Sequence, residues 1–381
     1  MTNPVRILHL HSAFSLGGKE ARAVRLMNAF GDAARHVIIS GVPDELDARD
    51  AIAKGIRYEI AQDAPSLTGK PSVRRYEAIA AYMRRFDLVL SYNWGAIDGP
   101  MAARVFAKGM PPIIHHEDGF NADEASGLKV ERNLYRRMAL GAVRALVVPS
   151  QALEGIALQV WKQPRERVRR IHNGIATMAY AREPEPDAIP GFVRDPREVV
   201  VGALAGLRDV KDLTALVRAM GGVSGRFRLV IVGEGPERAR IAQAALAMGI
   251  GDRLLMPGFI DRPWRFIRHF DLLALSSRSE QFPISVVEAM AAGLPIASPP
   301  VGDVPLMVAE ENRPFITEHG GEVRLRDAIQ ALMRDAELRR MVGAANQAKA
   351  RAEFDESVMI ARYAALYEDA LGRPGALLGR T

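Results

Sequence analysis

Short apolar runs alternate with amphipathic stretches along most of the chain. In the first half, seven of these runs have the length and the polar, Gly or Pro boundaries of buried strands. They cover residues 5–10, 36–41, 56–60, 87–92, 112–116, 145–149 and 168–171. The stretches between most of them have helical spacing, and residues 123–129 are expected to form a loop. Strands that alternate with helices predict an α/β fold with a parallel, doubly wound sheet.

The alternation resumes after a polar stretch that contains four prolines, residues 176–198. This stretch has the composition of a linker. Further buried strands are predicted from residue 199 onward and at 227–233, 254–256, 271–275 and 295–297. The pattern therefore predicts two domains, residues 1–175 and 199–354, joined by the linker.

Composition narrows the functional classes. The 381 residues carry a formal charge of +6 and give a sequence pI of about 9.6, which suits nucleic acid, anionic lipid or anionic substrates. Zinc-finger spacing and aromatic-rich RNA-binding motifs are missing, so no nucleic-acid partner is expected. The sequence has no cysteine, no signal-peptide pattern and no run of transmembrane length, so a cytoplasmic protein without disulfides is expected.

Two helical stretches, residues 74–85 and 129–140, carry arginines beside apolar positions. Such helices can rest on the anionic inner face of the cell membrane. They can equally be ordinary amphipathic helices with solvated arginines. The pattern alone leaves both interpretations open.

The segment 276–302 holds the main candidate chemistry. The buried strand at 271–275 ends in a polar loop, and Pro283 is placed as the first residue of a helix that Gly293 stops. Another buried strand follows at 295–297. This order forms a parallel unit whose helix begins at the carboxyl edge of the sheet. The free backbone amides there suit a phosphate group.

Two glutamates of this segment, Glu280 and Glu288, have seven residues between them. Glu288 could accept hydrogen bonds from the vicinal hydroxyls of a sugar, or it could be a solvated helix residue. Glu280 could face a substrate from the loop, or it could lie on the surface. The string Glu-x7-Glu, followed by Ala-Met-Ala-x-Gly-x-Pro, resembles the signature of family 4 of the retaining glycosyltransferases, which use nucleotide-activated sugars.

The resemblance implies the GT-B fold, in which two Rossmann-like, doubly wound domains face each other across a cleft. It also implies that Glu288 holds the donor ribose, and that Glu280 and the backbone after it face the donor sugar and phosphates. That backbone belongs here to Phe282, Pro283 and Ile284. Gln281 stands where the family usually has Gly, and its side chain could narrow the donor-sugar pocket or add a hydrogen bond.

A glycine pair follows the first strand, before a helix expected to open near Glu20. Gly17 and Gly18 let the backbone turn tightly and approach a ligand. Together with Lys19 and Glu20 they resemble the family's Gly-Gly-x-Glu, which lies where acceptor and donor phosphate meet. The resemblance implies donor contacts for Gly17 and Gly18 and acceptor contacts for Lys19 and Glu20.

Polar residues also follow the strands at 87–92 and 112–116. Asn93 and Trp94 are expected at the acceptor side, because ligands gather at the carboxyl ends of parallel strands. The run from His115 to Asp118 makes a poor metal chelate, since neighbouring strand residues point to opposite faces, and no metal site is expected. In the family a His ends this strand near the donor sugar, a role that either His116 or Asp118 could take. A buried structural role fits His115 better than His116.

The resemblance also locates the diphosphate site. A basic pair in the turn after the strand at residue 199 holds the diphosphate in the family, and Lys211 matches its Lys. Gly206 replaces the usual Arg, and Arg208 is close enough to serve instead. Two cations can offset the charge that develops as the sugar–phosphate bond breaks, so no divalent metal is expected. Without the resemblance, both would be read as solvated side chains.

Three further features match the family. Gly233 and Gly235 lie in a Gly-x-Gly-Pro turn near the donor nucleotide, and the third glycine of a dinucleotide-binding fingerprint is missing. The loop that ends at Phe259 is expected to contact the base. The resemblance implies that a C-terminal helix, about residues 355–381, returns to the first domain, and residues 354–366 carry an apolar stripe suited to this.

These features predict a retaining glycosyltransferase that moves a hexose-type sugar from a UDP- or GDP-linked donor to an acceptor hydroxyl. The expected acceptor is a lipid or lipid-linked saccharide in the synthesis of cell-surface glycans or glycolipids. The nucleotide sugar is a substrate, and no cofactor is expected. A nucleotide-sugar epimerase or hydrolase of the same fold and a non-catalytic nucleotide-sugar-binding protein are the alternatives. The oligomeric state is left open.

Overall fold

The structure is a computed structural model that describes residues 3–119, 129–317 and 321–379. Its contacts divide the chain into two compact units. Met1–His172 and Met359–Thr381 form the first unit, and Asn173–Val358 forms the second. The loop expected at residues 123–129 lies outside the described residues, except for Lys129.

Seven parallel strands form the sheet of the first unit, in the order β3-β2-β1-β4-β5-β6-β7. They are β1 (Val5–His11), β2 (Ala34–Ser40), β3 (Tyr58–Ile60), β4 (Leu88–Tyr92), β5 (Ile113–His116), β6 (Ala145–Val148) and β7 (Val168–Arg170). Every strand predicted in the first half is confirmed. Short apolar runs of this kind are typical of a parallel sheet covered on both faces.

Five parallel strands form the sheet of the second unit, in the order β10-β9-β8-β11-β12. They are β8 (Val199–Leu204), β9 (Phe227–Val232), β10 (Leu254–Gly258), β11 (Leu272–Ala274) and β12 (Ile296–Ala297). The five strands predicted after the linker are thus confirmed. Both units have the predicted α/β class.

Helices connect the strands of each sheet. Those of the first unit are α1 (Gly18–Phe30), α2 (Val73–Met83), α3 (Asp98–Val105), α4 (Val130–Ala139) and α5 (Gln151–Gln159). Those of the second are α6 (Leu213–Gly221), α7 (Arg238–Ala247), α8 (Ile284–Ala291), α9 (Val304–Met307), α10 (Gly321–Arg334) and α11 (Ala336–Glu353). The last helix, α12 (Glu356–Leu371), begins in the second unit and continues in the first. In the described ranges, none of the helices is both long and apolar enough for a membrane span.

Apolar side chains cover both faces of the first sheet. On one face, Met83 of α2 and the fully buried Trp161 lie in one cluster with strand residues. On the other face, Phe30 of α1 packs with Tyr363 and Tyr367 of α12. Helix α12 is therefore part of the core of the first unit.

The second sheet also separates two cores. Val200 and Val201 are neighbours in β8 but belong to different clusters, because successive strand side chains point to opposite faces. One cluster contains the buried face of α8, including Val287 and Met290. The other contains residues of α6, α7 and α10, such as Leu216. Helix α8 thus lies on one face, and its N-terminus lies beside the strand ends.

Two details differ from the sequence prediction. Pro283 is not the first helical residue, because its backbone is extended (φ −69°, ψ 111°) and α8 begins at Ile284. The proline ring fixes φ but leaves ψ free to stay extended before the helix. The stretch 176–198 is not a free connector. Its short 3-10 turn, Thr177–Ala181, and the buried side chains of Tyr180 and Ile189 pack into the second unit.

Candidate functional site

A cavity of about 410 Å³ opens in the second unit, at the carboxyl ends of its central strands. Loops after β8, β9 and β10 and one side of α8 form its walls. The lining residues include Gly206, Gly233, Glu234, Phe259, Ser285 and Glu288. Parallel α/β sheets bind their ligands at this edge, so the cavity is the candidate donor site.

Glu288 projects from α8 into this cavity and is half-buried. The hydroxyl of Tyr180 donates a hydrogen bond to its Oε1 at 2.8 Å. Burial raises the pKa of Glu288 to about 7, although the bond from Tyr180 acts in the opposite direction. Glu288 is therefore a carboxylate that lines the cavity and is held by Tyr180.

The Gly-x-Gly-Pro turn forms one wall of the cavity. Gly233 has φ +148°, and a Cβ built on it would lie 1.9 Å from the carbonyl oxygen of Ala205. Gly235 has φ +155°, and its Cβ would lie 2.4 Å from the carbonyl oxygen of Leu207. The turn after β9 thus contacts the backbone of the loop after β8, an approach that only glycine permits.

Phe259 and Arg208 stand at the edge of the cavity. The Phe259 side chain is 75% exposed although the residue lines the cavity, so its ring is free to meet a ligand. Arg208 is exposed, and its Nε lies 3.4 Å from the place that a Cβ on Gly206 would take. It forms no ion pair with any described residue. A cation therefore stands beside the glycine that replaces the family's Arg.

An ion pair joins the loops that follow β8 and β11, two strands that lie side by side in the sheet. The Nζ of Lys211 is 2.5 Å from Oε1 of Glu280, and both side chains are mostly buried. The hydroxyl of Ser277 donates to the same Oε1 at 2.7 Å. The hydroxyl of Ser276 donates to the carbonyl oxygen of Lys211 at 3.0 Å, so the two loops are fixed to each other.

The backbone after Glu280 leads directly into α8. Phe282 is buried, and its ring packs against Phe354 with centroids 5.6 Å apart, so only its backbone can reach a ligand. Pro283 is buried as well, whereas Gln281 and Ile284 are half-buried. The carbonyl oxygen of Gln281 accepts a hydrogen bond from the backbone of Asp303 at 3.1 Å.

In the first unit, the glycine pair lies at the start of α1. Gly17 precedes the helix and Gly18 is its first residue, and both are exposed. Lys19 and Glu20 form an ion pair with each other, and Glu20 is buried. Glu20 thus faces inward, beneath the glycines.

Asp118 lies at the edge of the first sheet, two residues beyond β5. Its carboxylate forms two hydrogen bonds with the guanidinium of Arg22, the second of them at 2.8 Å. Burial acts to lower the pKa of Arg22, but the charge of Asp118 keeps this pKa well above its usual range. The side chain of Asn93 accepts from the backbone N–H of Asp118 at 2.8 Å. Asn93 itself has φ +55° and therefore serves to fix this turn.

His116 is fully buried, which corrects the expectation that it could face a sugar. Its Nδ1 lies 3.2 Å from the carbonyl oxygen of Ser91, and its Nε2 lies 2.8 Å from the hydroxyl of Tyr367. A carbonyl oxygen only accepts, so Nδ1 carries the proton and Nε2 accepts from Tyr367. Burial lowers the pKa of His116 well below its usual value. Of the two strand-end candidates, only Asp118 is accessible, while His116 and His115 are both structural.

Trp94, expected at the acceptor side, is half-buried beside two arginines of α4. The guanidinium carbons of Arg132 and Arg136 each lie 5.0 Å from its ring centroid. Arg136 is fully buried, with its Nε 3.4 Å from the carboxylate of Glu117. One of the arginines assigned from the sequence to a basic surface therefore points into the core. Across the described ranges, no three His, Asp or Glu side chains gather as metal ligands.

Sequence reasoning missed Tyr180, Ser277 and Arg22. Tyr180 lies 108 positions before Glu288, and Arg22 lies 96 positions before Asp118. No local pattern marks contacts of this separation. Ser277 lies within the segment 276–302, but the sequence indicated only that it belongs to a polar loop.

Comparison with known proteins agrees with this geometry. The family "Glycosyltransferase Family 4" matches residues 16–178, and the family "Glycosyl transferases group 1" matches residues 187–349. Among curated relatives, N-acetyl-alpha-D-glucosaminyl L-malate synthase of Bacillus anthracis is 25% identical over 211 residues, 55% of this chain and 55% of the relative. The lipopolysaccharide core biosynthesis glycosyltransferase LpsD of Rhizobium meliloti is 26% identical over 196 residues, 51% of this chain and 56% of LpsD. The chain thus spans about half the length of these relatives.

The crystal structure of Anabaena HepE in complex with UDP superimposes with a TM-score of 0.80 at 19% identity. The match covers 96% of this chain and 100% of the HepE chain. A likeness at this identity shows a shared fold. Together with the two family matches, it shows that the chain belongs to the family 4 glycosyltransferases and has the GT-B fold.

Proposed function

We propose that this protein is a retaining glycosyltransferase that moves a hexose-type sugar from a UDP- or GDP-linked donor to an acceptor hydroxyl. The observation that carries the proposal is the cavity at Glu288, bounded by the Gly233 turn. The Lys211–Glu280 pair joins the loops after β8 and β11 in the same unit. HepE, which has the same fold, was crystallised with UDP. The relative from Bacillus anthracis is named as the synthase of an N-acetyl-alpha-D-glucosaminyl L-malate.

Each side chain at the cavity has a role in this proposal. Glu288 accepts hydrogen bonds from the two ribose hydroxyls, and the exposed ring of Phe259 stacks on the base. Arg208 and Lys211 bind the diphosphate, and Glu280 releases Lys211 to it and faces the donor sugar. The narrow Gly233 turn lets the backbone approach the phosphates.

In the reaction, the acceptor oxygen bonds to the anomeric carbon on the face from which the diphosphate leaves. The bond between that carbon and the phosphate oxygen breaks, and the acceptor proton passes to the departing phosphate. Lys211 and Arg208 offset the negative charge that develops on the diphosphate. Because these two cations supply that stabilisation, we propose that turnover needs no divalent metal.

We assign the acceptor to the first unit, where the start of α1, Asp118 and Trp94 follow strand ends. The acceptor class is a lipid or lipid-linked saccharide. The name of LpsD, a lipopolysaccharide core glycosyltransferase, supports an acceptor of this class. Arg22 holds the Asp118 carboxylate in place, so that it can accept a hydrogen bond from the acceptor hydroxyl.

Helix α4 supplies a surface for an anionic membrane. Val130, Leu134 and Met138 recur at every fourth position and are 77%, 57% and 47% exposed. Lys129, directly before the helix, and Arg137, within it, are exposed. An apolar stripe with flanking cations suits the interface of an anionic bilayer.

Leu134→Glu should abolish co-sedimentation with phosphatidylglycerol vesicles and leave binding of soluble donor unchanged. Binding of wild type to neither anionic nor neutral vesicles would contradict this surface.

Transfer itself is tested with UDP- and GDP-sugars and a bacterial lipid extract as acceptor. The expected result is a glycosylated lipid whose anomeric proton coupling in NMR matches that of the donor. An inverted linkage would contradict retention. Release of free or epimerised sugar without acceptor would favour the hydrolase or epimerase, and tight donor binding without turnover would favour the non-catalytic binder.

A further inference from the structure

Tyr180, in the stretch 176–198, forms a hydrogen bond with Glu288 of the candidate donor site. It lies in the 3-10 turn Thr177–Ala181, is buried, and donates its hydroxyl to Oε1 of Glu288 at 2.8 Å. Its ring meets Trp264 edge to face, with centroids 6.3 Å apart. Within the described ranges, Tyr180 is the only side chain that hydrogen-bonds this carboxylate.

The turn that carries Tyr180 is anchored outside the cavity. The hydroxyl of Thr177 donates to Asp355 at 2.5 Å, and the backbone N–H of Thr177 donates to the same oxygen at 3.3 Å. The backbone N–H of Glu356 donates to the carbonyl oxygen of Ile175 at 2.8 Å. The chain passes between the units at residues 172–173 and 358–359, close to this anchor in sequence. The position of the Tyr180 hydroxyl is therefore set by these contacts before any ligand binds.

Among the residues that the structure describes, the other charged groups around α8 form no ion pair or hydrogen bond with Glu288. The helix packs against the Thr177–Ala181 turn, α9, α11, β11, β12 and the 3-10 turn Ile267–His269. The nearby titratable groups on these elements bind elsewhere: Lys349 to Glu353, Arg268 to Glu183, and His269 to the carbonyl oxygen of Glu185. Across the cavity, Glu234 pairs with Arg238 at 3.1 Å. The electrostatic state of Glu288 thus depends on its burial and on Tyr180.

We propose that Tyr180 is a positioning residue that orients the Glu288 carboxylate for the donor ribose. Through this contact it also sets the pH range over which the donor binds. This inference rests on the proposed function. A carboxylate offers about four lone-pair sites on two oxygens. Tyr180 occupies one site on Oε1 and leaves the others for the two ribose hydroxyls. A protonated Glu288 would lose one acceptor oxygen, so the ionised form binds ribose more tightly.

The pH dependence follows from the opposing effects on Glu288. Burial raises its pKa to about 7, so donor affinity is highest above this pH and falls by up to about tenfold per pH unit below it. Tyr180→Phe removes the bond that lowers the pKa, and the midpoint moves to higher pH. Near pH 7 the variant should bind donor more weakly, by up to about tenfold, because a smaller fraction of its Glu288 is ionised at that pH.

The test is calorimetric titration of wild type and Tyr180→Phe from about pH 5.5 to about pH 9. The probes are UDP-glucose and GDP-mannose, whose diphosphate diesters keep a constant charge over this range. The matched control is Tyr82→Phe, because Tyr82 donates to a carboxylate of Asp63 in the first unit, at 3.3 Å. A further probe, 2′-deoxy-UDP-glucose, removes one of the ribose hydroxyls.

We expect a higher midpoint for Tyr180→Phe, with affinities that agree within about twofold at the alkaline end, and wild-type behaviour for Tyr82→Phe. The variant should also discriminate less against the 2′-deoxy probe. An unchanged midpoint, with or without uniformly weaker binding, would overturn the role of Tyr180 and leave the proposed function standing. Failure of wild type to bind either nucleotide sugar at any pH would instead overturn the proposed function, and this inference with it.

Discussion

The Lys211 ammonium lies 2.5 Å from the Glu280 carboxylate, although 69 positions separate them in sequence. The pair holds together the loops after β8 and β11 at the carboxyl edge of the second sheet. In the proposed reaction Lys211 exchanges this partner for the donor diphosphate. Both side chains are less than one-fifth exposed. The ion pair therefore holds the Lys211 ammonium in place until the diphosphate binds.

Lys211→Ala should lower kcat by about 10² to 10³, because it removes a cation that stabilises the leaving diphosphate. The circular dichroism spectrum should stay that of wild type. The melting temperature should fall, because the mostly buried Glu280 carboxylate loses its partner, so turnover is measured well below the unfolding transition. Lys349→Ala is the matched control, since Lys349 also pairs with a glutamate of the second unit. A folded Lys211→Ala protein with undiminished turnover would refute the assignment.

Glu288→Gln should stabilise the protein at alkaline pH. The pKa of Glu288 is about 7 in the folded state against an ordinary value of 4.5, so the folded state holds its proton more tightly than the unfolded state. The free energy of unfolding therefore falls as pH rises from about 4.5 to about 7. Gln avoids this loss, and we expect a gain of about 3 kcal/mol at pH 8 that vanishes near pH 4.5.

Urea unfolding at both pH values measures this gain, and Glu337→Gln on the exposed surface of α11 serves as the control. Equal stability of Glu288→Gln and wild type at alkaline pH would show that burial of this carboxylate costs nothing.

Gly233→Ala should be strongly destabilising, because its Cβ would lie 1.9 Å from the carbonyl oxygen of Ala205. Gly225→Ala is the control: Gly225 also has positive φ, +105°, but its Cβ would meet no atom within 4 Å. The difference between the variants isolates the steric clash from backbone strain, and we expect about 2 kcal/mol or more in the free energy of unfolding. Similar losses in both variants would mean that the two loops move apart easily.

Asp118→Ala should destabilise the protein by about 3 kcal/mol, because it removes the carboxylate that faces the buried guanidinium of Arg22. Asp369→Ala removes the partner of Arg144 in an exposed ion pair and should cost less than about 1 kcal/mol. Thermal unfolding of the two variants makes the comparison. Comparable small losses in both variants would show that the buried guanidinium of Arg22 does not need the Asp118 carboxylate for stability.

Local sequence patterns were sufficient to predict the strands, and the family resemblance singled out Glu280 and Glu288, whose roles at a donor site stay a prediction. Buried parallel strands are short apolar runs, and Glu280 and Glu288 lie in one strand–loop–helix unit. The burial of His116 could not be predicted in this way, because it depends on Tyr367 from a helix 251 positions away. Arg136 likewise lies on a basic helix but turns toward Glu117 in the core. Tyr180 was hidden in a stretch whose prolines indicated only a linker.

Calorimetric titration with UDP-, GDP- and ADP-sugars, with and without magnesium, measures whether the cavity at Glu288 binds a nucleotide sugar. We predict micromolar binding of one donor, unchanged by magnesium and lost in Glu288→Ala. That result would fix the base and locate the donor in the cavity of the second unit. Wild-type binding that persists undiminished in Glu288→Ala, or no binding of any nucleotide sugar, would contradict the account.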